Sequence, residues 1–211
     1  METPKVIIFD FDGTLADSST LLRRIYNDMA ALHGWPAMSE TDYQRMRGMN
    51  FSQAQKWAGI KSWQIPGLMR DGLKRFRSQA GTIAVFDGIP ELINQLVAVG
   101  TELYVLSTNS KTAISQVLKR FEIAGQVTIL KRSALFGKHY AIRHLLSKHK
   151  YKAENVWMIG DEIRDIEAAK RAGVKSAAVT WGLQDAALLK TANPDLIATN
   201  PSDLLAIINE A

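Results

Sequence analysis

Asp10 and Asp12 are separated by one residue in Asp10-Phe11-Asp12-Gly13-Thr14-Leu15, directly after the apolar run Val6-Ile7-Ile8-Phe9. Four apolar residues without polar alternation read as a buried strand of a parallel sheet. Open α/β sheets bind ligands beyond the carboxyl ends of their strands, which is where these acids stand. Side by side they repel each other and resist desolvation, so a metal ion or a shared proton is needed to make them tolerable. An isolated Asp-Gly would mean only a strand-ending turn, but the six-residue string is far more specific than that.

A second acidic group, Gly160-Asp161-Glu162-Ile163-Arg164-Asp165, follows the apolar run Val156-Trp157-Met158-Ile159. Asp161 and Asp165 are four apart and share one face as a helix begins. Hard divalent cations such as magnesium take oxygen ligands of this kind. One acid there would only complement the helix dipole; three within 161–165 exceed what capping needs. Ser107-Thr108-Asn109-Ser110, past a strand ending at Leu106, offers a hydroxyl and backbone N–H groups suited to a phosphoryl oxygen. Alone, such a run usually means a loop. Lys138, in Phe136-Gly137-Lys138-His139, would by default be a solvated charge, and only its place between a strand and a helix singles it out.

These groups need a scaffold that brings strand ends together. From residue 85 onward short apolar runs alternate with helical periodicity. Leu103–Leu106, Val127–Leu130, Val156–Ile159, Ala177–Val179 and Leu196–Ala198 read as strands. A helical stripe at Leu92, Ile93, Leu96 and Val97 precedes the first of these strands, and others at Ile114, Val117, Leu118 and Phe121 and at Ile142, Leu145 and Leu146 fall between later ones. Leu204 to Asn209 reads as a closing helix. Repeated β-then-α units predict a Rossmann-like α/β core, a parallel sheet with right-handed crossovers and helices on both faces.

Residues 16–84 break that rhythm. Ser18 or Ser19 can cap a helix with apolar positions Leu22, Ile25, Met29 and Leu32, stopped by Gly34. Thr41–Arg47, Ser52–Trp57 and Gly67–Ala80 read as three further helices with no convincing strand between them. The expected organisation is an α/β core of 1–15 and 85–211 with an inserted all-α subdomain of 16–84.

The motifs at 10–15, 107–110, 138 and 160–165, in that order at strand ends, resemble those of the haloacid dehalogenase (HAD) superfamily, and the resemblance covers nearly the whole chain. The phosphoglycolate phosphatase-like branch, with its small helical cap after the first motif, is the most similar. The resemblance implies phosphoryl transfer: Asp10 as nucleophile, Asp12 as general acid and base, and magnesium held by Asp10, the Asp12 carbonyl and Asp161. Asp165 would act through the metal's waters or as a weaker ligand, and Glu162 could share that duty. Ser107 matches the phosphoryl-binding hydroxyl, with Thr108 one register away and Asn109 beside it. Lys138 matches the charge-neutralising lysine, with Lys131 and Arg132 as rivals. The cap loop Arg47-Gly48-Met49-Asn50-Phe51 matches in position the segment where substrate choice is often made, which nominates Arg47, Gly48 and Asn50.

The implied activity is hydrolysis of a small phosphate ester. A sugar-phosphate mutase would use the same core, and a HAD-fold binding protein could keep the site idle. Dehalogenases lack the second aspartate that Asp12 provides, and the cap loop has no lysine for phosphonate chemistry. The four histidines show no metal-ligand arrangement, the tryptophans are scattered, and Arg70, Lys74, Arg75 and Arg77 read as a solvated face.

Composition sets the outer bounds. With 211 residues, 46% of them hydrophobic, the chain can bury a core with an insertion. It has no cysteine, which removes disulfides and thiol chemistry and fits a reducing, cytoplasmic setting. Neither a secretory signal nor a membrane span is legible. A net charge of +5 is scattered and mild, so no nucleic-acid partner is expected. Either a monomer or a dimer is compatible with the sequence.

Overall fold

In a computed structural model, residues 5–130 and 137–209 are described. Strand β1 (Val6–Phe9) lies at the centre of a six-stranded parallel sheet. Beside it run β4 (Glu102–Val105) and β5 (Val127–Ile129) on one side, and β6 (Val156–Gly160), β7 (Lys175–Val179) and β8 (Leu196–Ala198) on the other. Phe9 is in register with Val105 and Ile159, so the segments carrying Asp10, Ser107 and Asp161 leave the sheet at one edge.

Because successive side chains of a strand point to opposite faces, the continuous apolar run of β1 serves two cores. Val6 and Ile8 pack with Ile142 and Leu145 of α7 (Lys138–His149) and Ala168 and Ala169 of α8 (Ile163–Ala172). Ile7 and Phe9 pack on the other side with Leu92, Ile93 and Leu96 of α5 (Ile89–Ala98) and Ile114 and Val117 of α6 (Lys111–Arg120). Helices thus cover both faces, as the β-then-α rhythm predicts. No helix among the described residues is long and apolar enough to cross a membrane.

Between β1 and α5 the chain forms α1 (Ser19–His33), α2 (Glu40–Arg47), α3 (Phe51–Trp57) and α4 (Ile65–Gln79). Two-residue strands, β2 (Ala16–Asp17) and β3 (Ala84–Val85), pair antiparallel and bring the ends of this segment together. Strands that short carry no readable periodicity, and the sequence gives no sign of them. Gly34 ends α1 in a left-handed conformation, as expected, but the stripe of α1 differs. Leu21, Ile25, Met29 and Ala30 are buried, whereas Leu22 is 40% and Leu32 69% exposed. The buried face turns toward α4, against which α1 packs, one position round from the simple stripe. Neither Ser18 nor Ser19 caps α1 with its side chain; Asp17 Oδ1 does so, accepting from Ser19 N at 3.2 Å. Val97 likewise stands 38% exposed on α5. The closing segment starts as a 3₁₀ turn over Pro201–Leu205 before α10 (Ala206–Asn209). A further core helix, α9 (Ala186–Lys190), lies between β7 and β8, in a segment for which the sequence predicts no element.

Candidate active site

Asp10 continues β1 by one residue, its N–H donating to Ile159 O at 2.8 Å, and its side chain is buried at the sheet edge. Lys138 Nζ, at the first turn of α7, lies 2.6 Å from Asp10 Oδ2 and 2.5 Å from Asp165 Oδ1. Phe11 N donates to Asp10 Oδ1 at 2.7 Å. Burial works against the Lys138 charge, but Asp10 and Asp165 outweigh it and hold the ammonium above its ordinary value. Asp10, Asp161 and Asp165 each offer an oxygen within 4.8 Å of the others. Burial, reinforced by the charge of Asp10, raises Asp161 well above the usual carboxylate range. Asp165 is raised too, chiefly by burial, with Lys138 pulling it back.

Asp161 is fixed by its surroundings. Thr14 Oγ1 donates to its Oδ1 at 2.9 Å and Leu183 N to its Oδ2 at 2.7 Å. The loop after β7 that supplies Leu183 is held in turn by Trp181, whose Nε1 donates to Thr14 O at 3.0 Å. Gly13 and Gly182 close around the carboxylate: a Cβ on either would lie within 2.4 Å of Asp161 Oδ2, so only glycine admits the approach.

Asp12 faces the space in front of this cluster. Burial first, then the charge of Asp10, pushes its carboxyl up to about 7, with the Ser107 hydroxyl opposing. Ser107 is buried; its Oγ lies 3.4 Å from Asp12 Oδ2 and accepts from Asn109 N at 3.0 Å. Asp12 Oδ1 and Asn109 Nδ2 are buried without a hydrogen-bond partner among the described residues. Glu162 is raised to about 7, mainly by burial, and ion-pairs with Arg164. Among the described residues, five carboxyl groups therefore converge on two cations, Lys138 and Arg164. Such an excess of hard oxygen donors fits a divalent cation, and the orphaned Asp12 Oδ1 leaves an acceptor unspent.

A cleft of about 390 Å³ opens from Asp10, Asp12 and Asp161. Thr108 and Asn109 line it, whereas Ser107 sits behind them against Asp12. The cleft does not include Arg47, Gly48 or Asn50. The Arg47 guanidinium docks α2 on the core, donating from Nε to Gly182 O at 3.1 Å and from Nη2 to Thr180 O at 2.5 Å. Gly48 follows α2 with its N–H on Arg45 O, and Asn50 caps α3, accepting from Gln53 N at 3.0 Å. The structure therefore does not bring these three residues to the carboxylates: their polar groups make docking and capping hydrogen bonds. Lys131 and Arg132, the rivals to Lys138, lie outside the described residues.

Sequence reasoning missed Thr14, Arg164 and the loop Trp181-Gly182-Leu183. Thr14 and Arg164 stood inside the quoted strings, and the loop follows the strand beside β6. The rule that ligands gather at strand ends applied there as well.

A family model described as haloacid dehalogenase-like hydrolase matches residues 7–179. The chain belongs to that family. A phosphoglycolate phosphatase from Synechococcus elongatus is 31% identical over 207 residues, covering 98% of each chain. A 5'-nucleotidase from Pseudomonas aeruginosa is 30% identical, covering 83% of this chain and 82% of its own. A solved haloacid dehalogenase-like hydrolase from Streptococcus pneumoniae superposes with a TM-score of 0.81 at 25% identity, covering 99% of this chain and 100% of the other. This HAD chain is a hydrolase of the phosphatase kind, similar to phosphoglycolate phosphatases.

Proposed function

We propose that this phosphatase is magnesium-dependent and hydrolyses a small phosphate monoester through an aspartyl-phosphate on Asp10. The observation that carries the reading is the pairing of two unlike carboxyls at the end of β1. Asp10 is held between Lys138 Nζ and Phe11 N, whereas Asp12 is pushed up to about 7, and its Oδ1 has no hydrogen-bond partner among the described residues. A pKa near the working pH lets one group both give and take a proton.

In the first step Asp10 attacks phosphorus in line, the ester P–O bond breaks, and Asp12 gives its proton to the departing alkoxide. Asp12, now a carboxylate, takes a proton from water as that water attacks phosphorus, which frees phosphate and restores Asp10. Lys138, positioned by Asp165, offsets negative charge on Asp10 and the phosphoryl oxygens, while the Ser107 or Thr108 hydroxyl and nearby N–H groups hold those oxygens. Magnesium, held by Asp10, the Asp12 carbonyl and Asp161 with Asp165 alongside, would supply Lewis-acid stabilisation of negative charge when bound.

Residues 16–84 act in this reading as a cap on the core of 1–15 and 85–211. Supporting this, side chains of α1, α3 and α4 wall the cleft opposite the carboxylates. The test is turnover of p-nitrophenyl phosphate. It is expected with magnesium, absent with EDTA, restored by magnesium, poorly supported by calcium, and abolished in a folded Asp10→Asn variant. Full activity after exhaustive chelation, or in Asp10→Asn, would refute the mechanism. Phosphoglycolate, the substrate named for the cyanobacterial relative, is the natural reference ester.

A further inference from the structure

The far wall of the cleft differs in chemistry from its floor. Asp10, Asp12, Asp161, Thr108 and Asn109 are on the core side, whereas α1, α3 and α4 contribute Leu22, Ile25, Phe51, Leu68, Met69 and Phe76. Leu22, Phe51 and Met69 are 40%, 67% and 54% exposed there, so large apolar groups face open space beside a charged site. Five of those residues, Leu22, Ile25, Phe51, Leu68 and Met69, also line a second cavity of about 270 Å³ among the same helices. The two spaces share one apolar wall.

Polar lining of the cleft on that side is confined to Asp17, Ser18, Ser19 and Tyr43, near the start of α1 and on α2. In the second cavity the Tyr26 hydroxyl donates to Pro36 O at 3.0 Å, and the Gln55 amide donates to Ile60 O and Ser62 Oγ, each at 3.0 Å. Among the described residues lining the cleft, the one cation is Arg164, which sits on α8 at the core end and ion-pairs with Glu162. A carboxylate-bearing leaving group would meet no cation beyond that pair among the described residues lining the cleft; Arg23 and Arg47 line a neighbouring space instead. An apolar one would cover side chains that are otherwise wet, and burial of apolar surface is favourable in proportion to area.

We propose that the apolar wall formed by α1, α3 and α4 is the leaving-group subsite, and that this phosphatase prefers phosphate monoesters of apolar alcohols with an alkyl chain of several carbons. The inference rests on the phosphatase reading above, since it needs the phosphoryl group on the Asp10 side. It separates this chain from phosphoglycolate, whose leaving group is short and anionic.

The experiment is kcat/KM for ethyl, butyl, hexyl and octyl phosphate, alongside phosphoglycolate and p-nitrophenyl phosphate, all with magnesium. The alkanols differ little in acidity, so chain length acts through binding. Each added methylene should raise kcat/KM by about fourfold until the wall is covered, and phosphoglycolate should fall below butyl phosphate. Leu22→Asn and Met69→Gln, at positions already open to solvent, should flatten the series by lowering the octyl-to-ethyl ratio on the order of tenfold, about one and a half kcal/mol. A flat or falling series with p-nitrophenyl phosphate still turned over, or phosphoglycolate preferred to every alkyl ester, would overturn the subsite alone. Turnover of none of these esters would overturn the subsite and the phosphatase mechanism together.

Discussion

Gly13 approaches Asp161 so closely that a Cβ on Gly13 would stand 2.1 Å from Asp161 Oδ2. The glycine also has a φ of +80°, a region that side-chain-bearing residues adopt only with strain. The end of β1 and the end of β6 are therefore locked by a missing side chain. Gly13→Ala should displace the Asp161 carboxylate and lower kcat on the order of hundredfold. Magnesium-induced stabilisation, read by thermal melting, should shrink with it. Wild-type turnover in this variant would show that Asp161 can move without cost.

Asp12 carries the proton for the leaving group, so its removal should be felt in proportion to how much help that group needs. For Asp12→Asn, hydrolysis of butyl phosphate should fall by about 10²–10⁴-fold, the range of general acid–base catalysis, and p-nitrophenyl phosphate should lose less in its first step. Burst kinetics on the nitrophenyl ester would separate the two steps. Equal losses on both esters in that first step would assign Asp12 a different role.

The carboxyl pKa values fix a sign for pH dependence without metal. Asp12 is raised from 3.8 to about 7 by burial and by the charge of Asp10, and Glu162 from 4.5 to about 7, chiefly by burial. The folded state thus binds these protons more tightly than the unfolded chain does. Their contribution is present in full below the unfolded values and is lost as pH rises toward about 7. Metal-free protein should accordingly melt lower at pH 8 than at pH 5.5, and Asp12→Asn should reduce the difference. Magnesium binds the deprotonated donors, so its stabilisation should be larger at the higher pH. Melting curves at the two pH values, with EDTA or with magnesium, provide the measurement; a larger magnesium effect at pH 5.5 would reverse the sign argued here.

Arg47 ties α2 to the loop after β7 through two carbonyls, Gly182 O and Thr180 O. Its loss should cost about 1–2 kcal/mol, the usual net worth of two ordinary hydrogen bonds, since the guanidinium is only partly buried. For a chain of this size that lowers Tm by about 2–8 °C. Activity should drop uniformly across esters, because the guanidinium is directed to backbone rather than to the cleft. A change in the ranking of a panel of sugar, glycolate and alkyl phosphates in Arg47→Ala would return Arg47 to the specificity-determining set.

The legible part of the fold was the part governed by local pattern. Val6–Phe9 and Val156–Gly160 are apolar throughout because both of their faces are buried, and a sequence shows that directly. The four helices of 16–84 were also visible, since each carries its own start, stop or stripe. What escaped were features without a period: the two-residue pair of β2 and β3, and the rotation of α1 that exposes Leu22. In the site, Asp10, Asp12, Asp161 and Asp165 were readable because acids at the ends of apolar strands are costly and demand an explanation. Lys138 was singled out only by its place in the topology.

The sequence by itself determined the strand-and-helix order, the acids at the strand ends and the family to which they point. Only the tertiary structure decided which oxygens face which donors: Lys138 between Asp10 and Asp165, Thr14 and Leu183 on Asp161, and Ser107 on Asp12. It also gave Arg47 a docking bond and Asn50 a helix cap, neither of which the local string shows. The physical reason is range. Periodicity and capping act over a few residues and are written in the local string, whereas Thr14 meets Asp161 across 147 residues through sheet register alone.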